Sequence, residues 1–124
     1  MEIFLVEDSP LLRTRLAEML GAIPGASVVG EAEHADVAIR DILAIQPDVV
    51  VLDLSLAGGT SGFEVLRAVS RQAPEIDIYM ISNFVAEPYR ELAERLGARD
   101  FFDKSRELER VRRVIAERAA AAVH

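Results

Sequence analysis

Three carboxylates, a hydroxyl and an amine stand at the ends of short apolar runs in this sequence. Glu7 and Asp8 follow Ile3–Val6, Asp53 follows Val49–Leu52, Ser82 follows Ile76–Ile81, and Lys104 follows Asp100–Asp103. Gathered in one crevice, three carboxylates repel one another strongly unless a cation lies among them. Such oxygen ligands suit Mg²⁺, which binds through a few carboxylates, waters and phosphate oxygens. A hydroxyl and an ammonium beside them can hold phosphoryl oxygens. The set therefore fits a carboxylate that accepts a phosphoryl group, with metal, hydroxyl and lysine stabilising the transferred charge. Each residue also has an ordinary reading. Lys104 alone is a solvated lysine, Ser82 a strand-end hydroxyl, Glu7 and Asp8 capping charge before Pro10, and Asp53 a cap for the next helix. The argument rests on their coincidence at strand ends.

They can meet only if the runs that precede them lie side by side in a sheet. Val49–Leu52 is short, β-branched and apolar at every position, as in a parallel strand covered on both faces. Ile3–Val6, Ile76–Ile81 and Asp100–Asp103 read as further strands, and Ser27–Gly30 as a weaker one. Helical spacing appears between them. Leu12, Leu16, Met19 and Leu20 follow the start signal Ser9–Pro10, with Gly21 as the stop. Val37, Ile39, Ile42, Leu43 and Ile45 end at Pro47, and Phe63, Val65, Leu66 and Val69 end near Pro74. Tyr89, Leu92, Ala93 and Leu96 follow Glu87–Pro88 and are capped by Gly97. A last helix runs from Glu107 to about Ala121 with Leu108, Val111 and Ile115 on one side, and its tail Ala119–Ala122 reads as fraying.

Alternating strands and helices with right-handed crossovers predict an α/β, doubly wound (βα)5 sandwich on a five-stranded parallel sheet. Ligands bind such sheets beyond the carboxyl ends of the strands, where the polar set stands. Phe101 and Phe102 alternate along their strand, so they face opposite sides and at least one is core.

Composition narrows the class. With 14 Lys and Arg against 21 Asp and Glu, the net charge is −7. That argues against a broad footprint on nucleic acid and against an anionic membrane surface. No apolar run approaches the roughly 20 residues of a membrane span. The acidic pair Glu7–Asp8 comes too early for a signal peptide. The absence of cysteine excludes a disulfide scaffold and thiol chemistry, and fits a reducing interior. The expectation is one cytoplasmic domain over residues 1–124, long enough to bury a core. His34 and His124 show no metal-ligand spacing and read as surface residues.

Taken together, the acidic pair Glu7–Asp8, Asp53, Ser82, Phe101 and Lys104, in order on five βα units, resemble the receiver domains of two-component response regulators. The resemblance spans essentially the whole chain and implies flavodoxin-like strand order 2-1-3-4-5. It implies that Asp53 takes a phosphoryl group from a sensor histidine kinase or phosphotransfer protein. Mg²⁺ would be held by Glu7, Asp8, Asp53 and the main-chain carbonyl of Ser55. Ser82 would move toward the phosphate and Phe101 would change rotamer with it. The fourth helix, fifth strand and fifth helix would then form a partner face, with Tyr89, Arg90, Arg110, Arg112 and Arg113 as candidate contacts and self-association or effector binding as its uses. Ser55 and Phe84 would flank the path of a hydrolytic water, and neither is a base, which predicts a long-lived phosphorylated form.

The sequence departs from the family pattern in places. Ala57 stands near the usual loop proline, Gly62 comes one residue late, Asn83 is larger than usual, and Ser105 replaces the proline after the lysine. A cis bond to Ser105 would cost about 2.5–4 kcal/mol, so trans is expected. Other classes fit less well. An aspartyl-phosphate hydrolase commonly uses a carboxylate where Ser55 stands, and a flavodoxin-like cofactor binder would not place Glu7 and Asp8 at its phosphate loop. A pseudo-receiver that acts only as an interaction module would not need the intact acid set. The expected role is signalling rather than enzymatic turnover. These residues contain no recognisable output domain, so a stand-alone receiver and one cut from a longer regulator are equally expected.

Overall fold

The computed structural model describes residues 1–83 and 87–121. Five strands, β1 Glu2–Val6, β2 Ser27–Ala32, β3 Val49–Asp53, β4 Asp77–Ser82 and β5 Asp100–Asp103, alternate with five helices. The helices are α1 Pro10–Gly21, α2 Ala35–Ile45, α3 Gly62–Gln72, α4 Glu87–Leu96 and α5 Leu108–Ala121. All pairings are parallel and the order is β2-β1-β3-β4-β5, so the doubly wound sandwich forms as expected.

The apolar runs work by parity. Phe4, Val6, Val50, Leu52, Ile78, Met80 and Phe101 pack on one face beneath α2, α3 and α4. Ile3, Leu5, Val49, Val51, Tyr79, Ile81 and Phe102 pack on the other beneath α1 and α5. A strand sandwiched between helix layers must be apolar at every position, which is why β1 and β3 read as continuous runs. Phe101 and Phe102 are both core, one on each face.

Some elements differ from the sequence reading. Ala119 is 3% exposed and packs with Val111 and Ile115, so it belongs to the core rather than to a frayed end, while α5 continues through the exposed Ala120 and Ala121. Ala122 and His124 lie outside the described residues. Gly21 is the last residue of α1 rather than a left-handed cap; Ala22 caps with right-handed φ and its N–H bonds Glu18 O. In α2 the buried stripe is Ala35, Ala38 and Ile42, while Ile45 is 39% exposed. Gln46 takes the left-handed conformation (φ 55°) before Pro47, which disfavours a helical residue ahead of it. The Lys104–Ser105 bond is trans as expected. Among the described residues no helix is long and apolar enough to cross a membrane.

Candidate functional site

Glu7, Asp53 and Ser82 are the buried polar or charged side chains among the described residues, and all three lie at carboxyl ends of strands. Sheet register brings them together: β1 pairs with β3 up to Val6↔Leu52, β3 with β4 up to Asp53↔Ile81, and β4 with β5 up to Ser82↔Asp103. Lys104, one residue beyond β5, donates from Nζ to Asp53 Oδ2 at 2.9 Å and to Glu7 Oε1 at 3.0 Å. One carboxylate oxygen from each of Glu7, Asp8 and Asp53 lies within 4.8 Å of the others. Asp8 is exposed while Glu7 is fully buried, so the cluster opens to solvent on the Asp8 side.

Its electrostatics follow from burial. Burial first, and the Asp53 charge next, push the Glu7 carboxyl up to about 7, against the pull of Lys104. Burial likewise raises Asp53, opposed by its hydrogen bond and ion pair with Lys104. Burial works against the Lys104 ammonium, yet its hydrogen bonds to Asp53 and Glu7 outweigh that and hold its pKa above the ordinary value. Glu7 Oε2 is buried and accepts no hydrogen bond from the described residues.

The surrounding backbone is fixed by short contacts. Ser9 caps α1 by accepting from Leu12 N, and its own N–H donates to Glu7 Oε1 at 3.2 Å. Arg13, which the motif reading missed, donates to Glu7 O at 2.7 Å and pairs with Glu31 and Glu33 at 3.2 and 3.0 Å. Its signal in the sequence is a basic residue near the start of a helix, where the macrodipole disfavours a cation unless something else holds it. Ser55 N–H donates to Asp53 Oδ1 at 3.3 Å.

The loop after Asp53 accommodates its departures from the family pattern locally. Ser55 bridges Ser61, Leu56 N–H bonds Thr60 O at 3.0 Å, and a short 3-10 turn over Ala57–Gly59 takes up the length. Gly58 and Gly59 there have φ of 71° and 73°. Gly62 then opens α3 against the backbone of β3: a Cβ at this position would stand 2.2 Å from Asp53 O. The late glycine thus reaches the place the close approach requires.

At the other side of the site, Phe101 is 2% exposed. Arg90 from α4 donates to its carbonyl at 2.9 Å and lies 5.5 Å over its ring. Of the proposed face residues, Arg110 pairs with Glu107 and Asp100 and sits over Phe102, Arg112 is held by Glu109, and Arg113 and Tyr89 are exposed. Phe84 lies outside the described residues.

A doubly wound sheet with an acid cluster and a lysine at its carboxyl edge defines a class, and the comparisons name it. The family model for the response regulator receiver domain matches residues 3–116, and the chain belongs to that family. It is 32% identical over 124 residues to a protein-glutamate methylesterase/protein-glutamine glutaminase 1 of Carboxydothermus hydrogenoformans, covering 98% of this chain and 36% of that protein. It is 28% identical over 116 residues to the response regulator GacA of Pseudomonas aeruginosa, covering 94% of this chain and 54% of that one. The chain thus spans between about a third and a half of these curated relatives. Among solved structures it resembles the response regulator domain of Thermotoga maritima CheB, with a TM-score of 0.85, 25% identity and coverage of 98% and 95% of the two chains. It also resembles a LuxR-family two-component response regulator from Aurantimonas sp. SI85-9A1, with a TM-score of 0.88, 28% identity and coverage of 97% and 85%. The chain is therefore a two-component signalling module of the receiver class, a class that binds Mg²⁺ at an acidic site and interacts with histidine kinases and effector domains.

Proposed function

We propose that Asp53 is the phosphoacceptor of this receiver. The observation that carries the reading is the double hydrogen bond from Lys104 Nζ to Asp53 and Glu7 beside a third carboxylate, Asp8. An Asp53 oxygen attacks the phosphorus of a kinase or phosphotransfer-protein phosphohistidine; the P–N bond breaks as the P–O bond forms, and the electron pair leaves on the imidazole nitrogen. Lys104 follows the developing charge onto a phosphoryl oxygen, and the Ser82 hydroxyl donates to another. Both act by position and charge, as most of phosphoryl-transfer catalysis does.

The residues fit Mg²⁺. A buried Glu7 oxygen with no hydrogen-bond partner among the described residues, within a cluster of three carboxylates, has the chemistry of a hard-cation ligand set. Glu7, Asp8, Asp53 and the Ser55 carbonyl would hold the ion, which supplies charge neutralisation between donor and acceptor oxygens. The remaining assignments belong to the same reading. Residues 1–124 act as one signalling domain in the cytoplasm, self-phosphorylating and self-dephosphorylating rather than turning over a substrate. The output is a shift of the α4–β5–α5 face through Ser82 and Phe101.

Incubation with acetyl phosphate and Mg²⁺ should add one acid-labile phosphoryl group, seen by intact mass. Asp53→Ala and Asp53→Asn should abolish it; equal labelling of either variant sinks the assignment.

A further inference from the structure

A groove lies between the carboxyl ends of α3 and α4, at the opposite end of α3 from Asp53, with a volume near 720 Å³. Arg67 and Arg71 line one wall, one helical turn apart and therefore on one face of α3. Arg95, in the last turn of α4, lines the other. Among the described residues none of these three guanidinium groups makes an ion pair or hydrogen bond. Other arginines are paired, Arg13 with two glutamates, Arg99 and Arg118 with Asp77, and Arg110 with Glu107 and Asp100, while the side chains of Arg15, Arg106 and Arg113 are not. What sets Arg67, Arg71 and Arg95 apart is that three unpaired guanidinium groups line one groove of a chain whose net charge is −7.

Helix capping does not account for them. A basic residue in a last turn complements the partial negative charge of the helix end. That explains one arginine on each helix but not Arg67, and no side chain of the three donates to a terminal carbonyl. The groove has the other parts of a site. Ser70 offers a hydroxyl on the same wall, Leu96 offers an apolar surface opposite, and Gly97, at φ 110°, leaves open the space where a Cβ would stand 2.8 Å from Ser70 Oγ.

We propose that this groove binds a compact polyphosphate-bearing small molecule through Arg67, Arg71 and Arg95. Planar guanidinium forks match phosphate oxygens two at a time. Cations on two facing walls suit a compact multivalent anion, and the volume lies within the range of small-molecule sites, about 300–1,000 Å³. The chain's overall negative charge disfavours a nucleic-acid backbone, whose many phosphates would extend beyond the basic groove. The site is independent of Asp53.

The test is calorimetric titration of the whole chain with inorganic tripolyphosphate, in chelator and about 0.15 M salt. Without a divalent cation the acidic cluster repels the probe, so the heat reports the groove. Saturable binding to one site per chain is expected. Arg67→Ala, Arg71→Ala and Arg95→Ala should each weaken it about tenfold or more, while Arg113→Ala and Asp53→Asn leave it unchanged. All three groove arginines are exposed, and circular dichroism melts should show each variant folded like the wild type. The proposal fails if tripolyphosphate gives no saturable binding or if Arg113→Ala weakens it as much as the groove variants. It also fails if a glutamate-rich peptide is held by the three arginines while the polyphosphate is not.

Discussion

At the scale of single residues, the proposed phosphoacceptor role of Asp53 makes Ser55 a test of how long the phosphorylated form lasts. Its N–H is spent on Asp53 Oδ1, its side chain is exposed, and it stands two residues past Asp53. A hydroxyl there offers no strong base to an incoming water. Ser55→Glu places a carboxylate at the same spot without disturbing the core. Decay of the phosphorylated protein, followed by intact mass, should then speed by about tenfold, which corresponds to roughly 1.4 kcal/mol of barrier. Unchanged decay would take Ser55 out of the control of water. The companion residue on that path, Phe84, lies outside the described residues, so Ser55 carries the prediction.

At the scale of elements, α3 is tied to the end of β3 by Gly62. Its N–H bonds Leu54 O at 2.7 Å, and a methyl group would collide with the Asp53 carbonyl. Backbone cannot swing aside as a side chain does, so Gly62→Ala should destabilise by about 1–3 kcal/mol or more, read as a lower urea midpoint at unchanged slope. It should also slow labelling at Asp53, because the strand end must shift; a variant with wild-type midpoint and labelling rate would show that the loop yields freely. On the opposite side, α4 is tied to β5 by Arg90, which holds both the carbonyl and the ring of Phe101. A switch that moves Phe101 has to loosen that clasp. Phosphorylation should therefore change amide exchange in α4 and β5, whereas change confined to α2 would place the responsive face elsewhere. The sequence announced the strands that carry these contacts because parity and β-branching mark a doubly covered strand in any chain. It did not announce the clasp or Arg13, since a guanidinium that reaches a backbone carbonyl many residues away leaves no periodic trace. The small buried stripe of α2 was also hidden, because alanine reads as weakly apolar and its packing appears only once two helices are in place.

At the scale of the whole molecule, the site was legible as a coincidence of residue types at strand ends, and its energetics were not. Nothing in the composition says that Lys104 would divide itself between two carboxylates, or that Glu7 would be fully buried while its neighbour Asp8 stays exposed. Under the Mg²⁺ reading proposed above, those facts couple the fold to the ion. Glu7 and Asp53 are both destabilised as anions by burial, and Glu7 further by Asp53, so without a cation the junction of β1, β3 and β5 holds a repulsion that Lys104 offsets only in part. A cation that binds only the native arrangement adds stability by mass action, about 2.7 kcal/mol at a hundredfold excess over its dissociation constant. Saturating Mg²⁺ should accordingly raise the melting midpoint by several degrees over chelator. Asp53→Asn removes one repelling charge while leaving Lys104 its bond to Glu7. That variant should melt no lower than the wild type in chelator and gain much less from Mg²⁺. Equal midpoints for the wild type with and without the ion would mean that the three carboxylates do not form its site. An undiminished gain in Asp53→Asn would place the ion away from Asp53.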